Sequence, residues 1–203
     1  MMRKGARPAV QPELDRLARR FEAAVEAGDW DDAIDALDGL IALQPGAPAL
    51  HYNKAVALRR AGRAEDAVAA ADAALAREPR FVNALFERAC ALMELGRYDA
   101  ARDGFERFLS SEPHDIDARL NLAALLLKAE RPGDALERVM DMSGKHAAVI
   151  RAEALRDLGR LDEMEVALGA VSPDLAAEVR SQRPNARLAL ALRKSAESGK
   201  KAD

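Results

Sequence analysis

Gly28-Asp29-Trp30-Asp31-Asp32-Ala33 recurs as Gly62-Arg63-Ala64-Glu65-Asp66-Ala67 and again as Gly96-Arg97-Tyr98-Asp99-Ala100-Ala101. The three glycines stand 34 positions apart; Ala33, Ala67, Ala101 and Ala135 keep that step, and so do Pro45, Pro79 and Pro113. Three columns sharing one period mark an internal repeat, a single supersecondary unit copied along the chain. In each unit the glycine ends a first helix by taking the left-handed conformation. Acids such as Glu65 and Asp66 open the second helix, where the dipole favours them. The proline then prevents that helix from continuing.

Side-chain size along the unit fits a helical hairpin. Ala55, Ala89 and Ala123 fall mid-way along the first helices, and Ala67, Ala101 and Ala135 fall early in the second, so the pair can approach closely. Leu37, Leu58, Leu92, Phe105 and Phe108 are expected to fill the space between hairpins. Composition agrees. Hydrophobic residues make up 49% of the 203 but aromatics only 4%, the apolar content is mostly Ala and Leu, both strong helix formers, and no Val-, Ile- or aromatic-rich strand segment stands out.

The formal charge of −3, with both signs interspersed, argues against nucleic acid as a partner. One cysteine, Cys90, excludes an internal disulfide and suits a reducing compartment. No segment is apolar and long enough to span a membrane, and Arg3, Lys4 and Arg7 are not followed by the apolar run of a secretory signal, so a cytoplasmic protein is expected.

These columns resemble the tetratricopeptide repeat family, whose 34-residue pattern has small residues at its eighth and twentieth positions and proline at its thirty-second. With position one at Leu14, Pro48, Val82 and Ile116, the eighth column reads Phe21, Ala55, Ala89, Ala123. The resemblance implies an all-α, right-handed superhelical solenoid of stacked antiparallel helix pairs. The expected organisation is a flexible segment over 1–11, about five helix-hairpin repeats over 12–171, C-terminal capping helices over 172–197 and a disordered tail over 198–203.

Repeat 4 departs from the pattern. Its turn, Glu130-Arg131-Pro132-Gly133-Asp134-Ala135, has no glycine at the head, and the next turn, Gly159-Arg160-Leu161-Asp162-Glu163, follows after 29 positions instead of 34. Ser143-Gly144 is expected to end the second helix of repeat 4 early, with repeat 5 running from about Lys145 and Ala152 back in the small column. Further on, Ser172 can cap a helix opening at Pro173, and Asn185 can cap another, reaching about Ala196, with Leu188 and Leu192 on one face.

No catalytic constellation is present in the sequence. His51, His114 and His146 fall in different units, no metal-ligand spacing occurs, and Gly144-Lys145 lacks the earlier glycine and the closing Ser or Thr of a phosphate loop. Cys90 lies as Ala89-Cys90-Ala91 in a helix and reads as a small packing residue. A non-enzymatic protein with no cofactor and no metal is expected.

In the family the first helix of each repeat lines the concave face. Its fifth column here reads Ala18, Tyr52, Phe86, Leu120, Val149; the ninth reads Glu22, Val56, Cys90, Ala124, Glu153; the twelfth adds Val25, Arg59, Met93 and Leu127; the sixth contributes Asn53, Glu87 and Asn121. An exposed apolar strip of that extent marks a binding site. The candidate peptide-binding groove is therefore Tyr52, Asn53, Val56, Phe86, Glu87, Cys90, Met93, Leu120, Asn121, Ala124 and Leu127. Tyr52, Phe86 and Leu120 would anchor, and the asparagines, which both donate and accept, would hold a peptide backbone. The resemblance supports that role for the asparagines, but the Lys and Asn set with which some family members clamp a C-terminal carboxylate is missing. The basic column Arg20, Lys54, Arg88 and Arg151 reads as long side chains extending to water.

Two functions fit. One is a protein-interaction module (adaptor, scaffold or chaperone-like) that binds a partner's peptide segment. The other is a self-associating assembly protein, a possible homo-oligomer, whose groove holds its own or a neighbour's C-terminal helix.

Overall fold

Each glycine of the repeat column takes a positive φ, from 70° at Gly28 to 79° at Gly62. The backbone closes every such turn in the same way. The Gly62 N–H donates to Arg59 O at 2.9 Å and the Arg63 N–H to Leu58 O at 2.8 Å, and the pair repeats at Gly28, Gly96 and Gly159. This is the Schellman closure, which satisfies carbonyls left over at a helix end. Repeat 4 makes it without glycine: Glu130 itself adopts φ 57°, and Arg131 N–H bonds to Leu126 O at 2.9 Å.

A computed structural model of the protein describes residues 10–181. They form eleven α-helices and no strand: α1 Val10–Ala27, α2 Trp30–Leu43, α3 Pro48–Arg60, α4 Ala64–Arg77, α5 Val82–Glu94, α6 Tyr98–Leu109, α7 Ile116–Lys128, α8 Pro132–Val139, α9 Lys145–Asp157, α10 Leu161–Leu168 and α11 Pro173–Ser181. The first helix thus opens at Val10, inside the segment expected to precede the repeats. The helix expected from Asn185 and the tail over 198–203 lie outside the described residues. Among those described, no helix is long and apolar enough to cross a membrane.

The described residues divide into two compact units, with the division between Gly104 and Phe105 inside α6. In the first, α1 packs on α2, α2 on α3, α3 on α4, α4 on α5, and α3 also on α5. In the second, α7 packs on α8, α8 on α9, α9 on α10, α7 also on α9, and α11 on α9. Consecutive hairpins therefore stack chiefly by packing the second helix of one on the first helix of the next, with α3 on α5 and α7 on α9 adding a first-helix contact. Ala33, Ala55, Ala67, Ala89, Ala101, Ala123, Ala135 and Ala152 are all 0% exposed, so the small columns are where helix backbones meet. Gly104 shows how tight this is: a Cβ there would lie 2.9 Å from the Ala89 Cβ.

The basic column reaches acids as well as water. Lys54 reaches back to Asp38 of the preceding hairpin, and Arg88 reaches Asp72 at 2.6 Å, each pair 16 residues apart. Arg20, on the first described helix, pairs with Asp32 of α2. The repeat register puts Asp38 and Asp72 at one shared column on the second helix, so the cation of each hairpin meets the carboxylate of the one before. Exposure of a quarter to a half on these side chains keeps each pair within about 0.2–1 kcal/mol.

Repeat 4 breaks this scheme. Helix α8 has 8 residues where α4 has 14, and it stops at Val139, four residues before Ser143. Gly144, at φ 97°, ψ 162°, instead precedes α9 as its N-cap. The carboxylate column falls there on Met140. Arg151 therefore donates from Nη2 to the carbonyls of Val139 and Met142, both at 2.6 Å, and of Met140 at 3.3 Å. One guanidinium thus satisfies the carbonyls that a truncated helix leaves open.

Candidate interaction surface

Helices α3 and α5 lie side by side in the first unit and turn one face of each hairpin to the same side. Tyr52, Asn53 and Val56 on α3 and Phe86 on α5 are half-buried there. The Tyr52 ring leans on Phe81 with centroids 5.3 Å apart and planes tilted by 57°, an edge-leaning arrangement that suits aromatic quadrupoles. That contact holds the Tyr52 ring at the mouth of α5 and leaves part of it on the surface.

Beneath these residues lies a buried ionic cluster. Arg59, at the twelfth position of its repeat, donates from Nε to Glu87 Oε1 and from Nη1 to Glu94 Oε1 at 3.0 Å. The Arg59 and Glu87 side chains are only 9% and 6% exposed. Burial works against the Arg59 charge, yet the field of Glu87, with Cys90 nearby and the bonds to both glutamates, holds its pKa above the ordinary arginine value. Burial, with Glu87 adding to it and Arg59 opposing, also raises the Tyr52 phenol. The phenol therefore stays neutral at physiological pH and can donate a hydrogen bond. Glu87, expected in the groove, is instead the partner of Arg59. The 28-residue separation, twelfth position of one repeat to sixth of the next, was the signal available.

The remaining candidates are not on an open surface. Cys90 and Met93 are 3% and 4% exposed on α5, and Glu87 is buried in the cluster just described. On α7, Leu120, Asn121, Ala124 and Leu127 are 6% exposed or less. The expected strip along both units is corrected to a shorter patch on α3 and α5. The reason is visible in α7 itself: Leu120-Asn121-Leu122-Ala123-Ala124-Leu125-Leu126-Leu127 is apolar almost all round, and such a helix is covered on all sides. On α9, Val149 and Glu153 are likewise 0% exposed. In repeat 1, by contrast, Glu22 and Val25 are exposed.

Comparison with known proteins agrees with this geometry. Models of the tetratricopeptide repeat match residues 19–85 and 92–156. The chain belongs to the tetratricopeptide repeat family. Among solved structures, it is similar to a crystal structure of MamA protein, with a TM-score of 0.71 and 16% identity over 84% of this chain and 93% of that one. The first tetratricopeptide domain of Spaghetti, bound to the HSP90 peptide SRMEEVD, is similar with a TM-score of 0.57 and 22% identity over 62% of this chain and 99% of that one. The tetratricopeptide domain of Sgt2 from Aspergillus fumigatus gives a TM-score of 0.55 and 23% identity over 61% and 83%. No curated protein matches by sequence. At these identities the likeness is one of fold, and the tetratricopeptide fold is that of a protein-interaction module.

Proposed function

We propose that this tetratricopeptide protein is a non-enzymatic interaction module whose α3–α5 face takes a peptide segment of a partner protein. The observation that carries the reading is the half-buried set Tyr52, Asn53, Val56 and Phe86 on a rigid base formed by Arg59, Glu87 and Glu94. Covering the exposed part of these aromatic side chains contributes at about 25 cal/mol per Å² of apolar surface removed from water, and the few residues that dominate an interface are enriched in such groups. Asn53 supplies a donor and an acceptor for peptide backbone. The patch lacks the cationic pair that grips a C-terminal carboxylate, so an internal segment with an apolar side chain fits better than an acidic terminus. The Spaghetti domain with its bound peptide is a precedent for the fold, not for this ligand.

The test is capture from native lysate by the wild type and by the double variant Tyr52→Ala, Phe86→Ala, with circular dichroism showing both folded. A protein held by the wild type and lost by the variant supports the reading. Equal capture by both rejects the α3–α5 face as the site. The second reading, self-association through this face, rests on the same apolar patch. It requires oligomers of the isolated protein that dissociate on dilution and in the double variant.

A further inference from the structure

Two clefts occupy equivalent places in the two units, each between successive second helices and floored by the first helix between them. The cleft of the first unit encloses about 360 Å³ between α2 and α4, and that of the second about 320 Å³ between α8 and α10. Their charges differ. In the first, Lys54 is bound to Asp38 and Arg63 to Asp66 at 2.8 Å, so two cations meet two carboxylates. In the second, Arg160 is paired with Glu163 at 2.6 Å, but Arg151 meets only carbonyl oxygens. Among the described residues no carboxylate forms an ion pair with it, and its Nε is buried without a hydrogen-bond partner. The residue that would supply the carboxylate is Met140, at the column of Asp38 and Asp72. Around this charge the cleft is apolar: Leu136, Leu155 and Ala167 line it, and Met140 and Val166 stand at its edge, 60% and 80% exposed.

We propose that the cleft between α8 and α10 docks a partner-protein segment carrying a Glu or Asp carboxylate beside an apolar side chain. The carboxylate pairs with Arg151, taking the place that Asp38 takes beside Lys54, and the apolar side chain covers Met140 and Val166. Charge complementarity decides the occupant. The cleft lining holds one cation more than carboxylates, and a part-buried cation gains more from an acceptor that brings a full negative charge than from a neutral carbonyl. This surface is separate from the α3–α5 face, and neither reading depends on the other.

The test uses the full chain and the capped peptides Ac-Ala-Leu-Glu-Leu-Ala-NH2 and its glutamine counterpart, followed by NMR at the Arg151 Nε–H and the Ala167 and Ala170 amides. The expected result is saturable shifts at these positions with the glutamate peptide, at least about tenfold tighter than with glutamine, as one charge-assisted hydrogen bond warrants. Met140→Asp, which returns a carboxylate to the column without touching the Arg151 cap, is expected to remove the binding and leave the protein folded. Equal shifts with both peptides, no shift at all, or binding that survives Met140→Asp overturns the proposal. Hexanoate binding as tightly as the glutamate peptide overturns it too, by making the cleft a site for free aliphatic carboxylates. Tyr52→Ala, Phe86→Ala leaves the peptide affinity unchanged.

Discussion

Arg59 on α3 donates to Glu87 on α5 across 28 residues of sequence, with both side chains less than a tenth exposed. The pair ties two adjacent hairpins together under the proposed binding face. Arg59→Met leaves Glu87 as an uncompensated buried charge and is expected to cost roughly 3–5 kcal/mol, whereas Glu87→Leu leaves Arg59 its bond to Glu94 and is expected to cost less. Replacing both together restores apolar complementarity and is expected to bring stability back to within about 1 kcal/mol of the wild type. Urea unfolding of the four proteins in a double-mutant cycle measures this. Two single variants that cost no more than surface substitutions would mean that the cluster is solvated.

The turn of repeat 4 makes a sharper test of local geometry. Glu130 sits at φ 57°, where the other turns use glycine, and a side chain in that region costs about 1–2 kcal/mol. Glu130→Gly is therefore expected to stabilise the second unit by about 1 kcal/mol, less the added freedom of the unfolded chain. Gly62→Ala is expected to destabilise the first by a similar amount, about 1 kcal/mol. Thermal unfolding followed by circular dichroism reads both, with shifts of about 2–4 °C.

Arg151 and Lys54 share a column but not a role. Lys54→Met loses a half-exposed ion pair and is expected to cost under about 1 kcal/mol. Arg151→Met leaves the carbonyls of Val139 and Met142 without their donor and is expected to cost about 1–3 kcal/mol. Denaturant midpoints of the two variants distinguish a cap from an ion pair.

Acid titration has a defined sign. Hydrogen bonding from Arg119 lowers the Asp141 carboxyl, and Arg160 does the same for Glu163 and Arg180 for Glu165. A carboxyl whose folded pKa is depressed stabilises the fold above its unfolded value, about 4. That contribution is lost as pH falls below 4 and through the folded value. Because these groups are on the surface, salt is expected to weaken the effect. Carbon-13 titration should place Asp141 below the usual aspartate value, and Arg119→Gln should return it there.

Much of the fold was legible because the repeat is written in residues with one conformational use each. Gly28, Gly62 and Gly96 stop helices, the prolines bar continuation, and the alanine columns mark where helices touch. The start of α9 at Lys145 also followed from the shortened spacing. Less was legible where a residue's role depends on its neighbour in space. Arg20, Lys54 and Arg88 read as solvated because their acids lie on another helix, and the end of α8 at Val139 reflects a cap that Arg151 supplies from α9. The site was half visible: a column of apolar residues names a face, but only packing shows that Tyr52, Asn53, Val56 and Phe86 remain on it while Leu120 and Leu127 do not.

The most direct measurement of the central claim is photo-crosslinking from a benzophenone side chain at Val56, with a control at Ile116, which is 64% exposed. A discrete partner adduct is expected from position 56, absent at 116 and lost when Tyr52→Ala and Phe86→Ala are added. An adduct equally strong from Ile116, or none from Val56 in the folded protein, would contradict that claim.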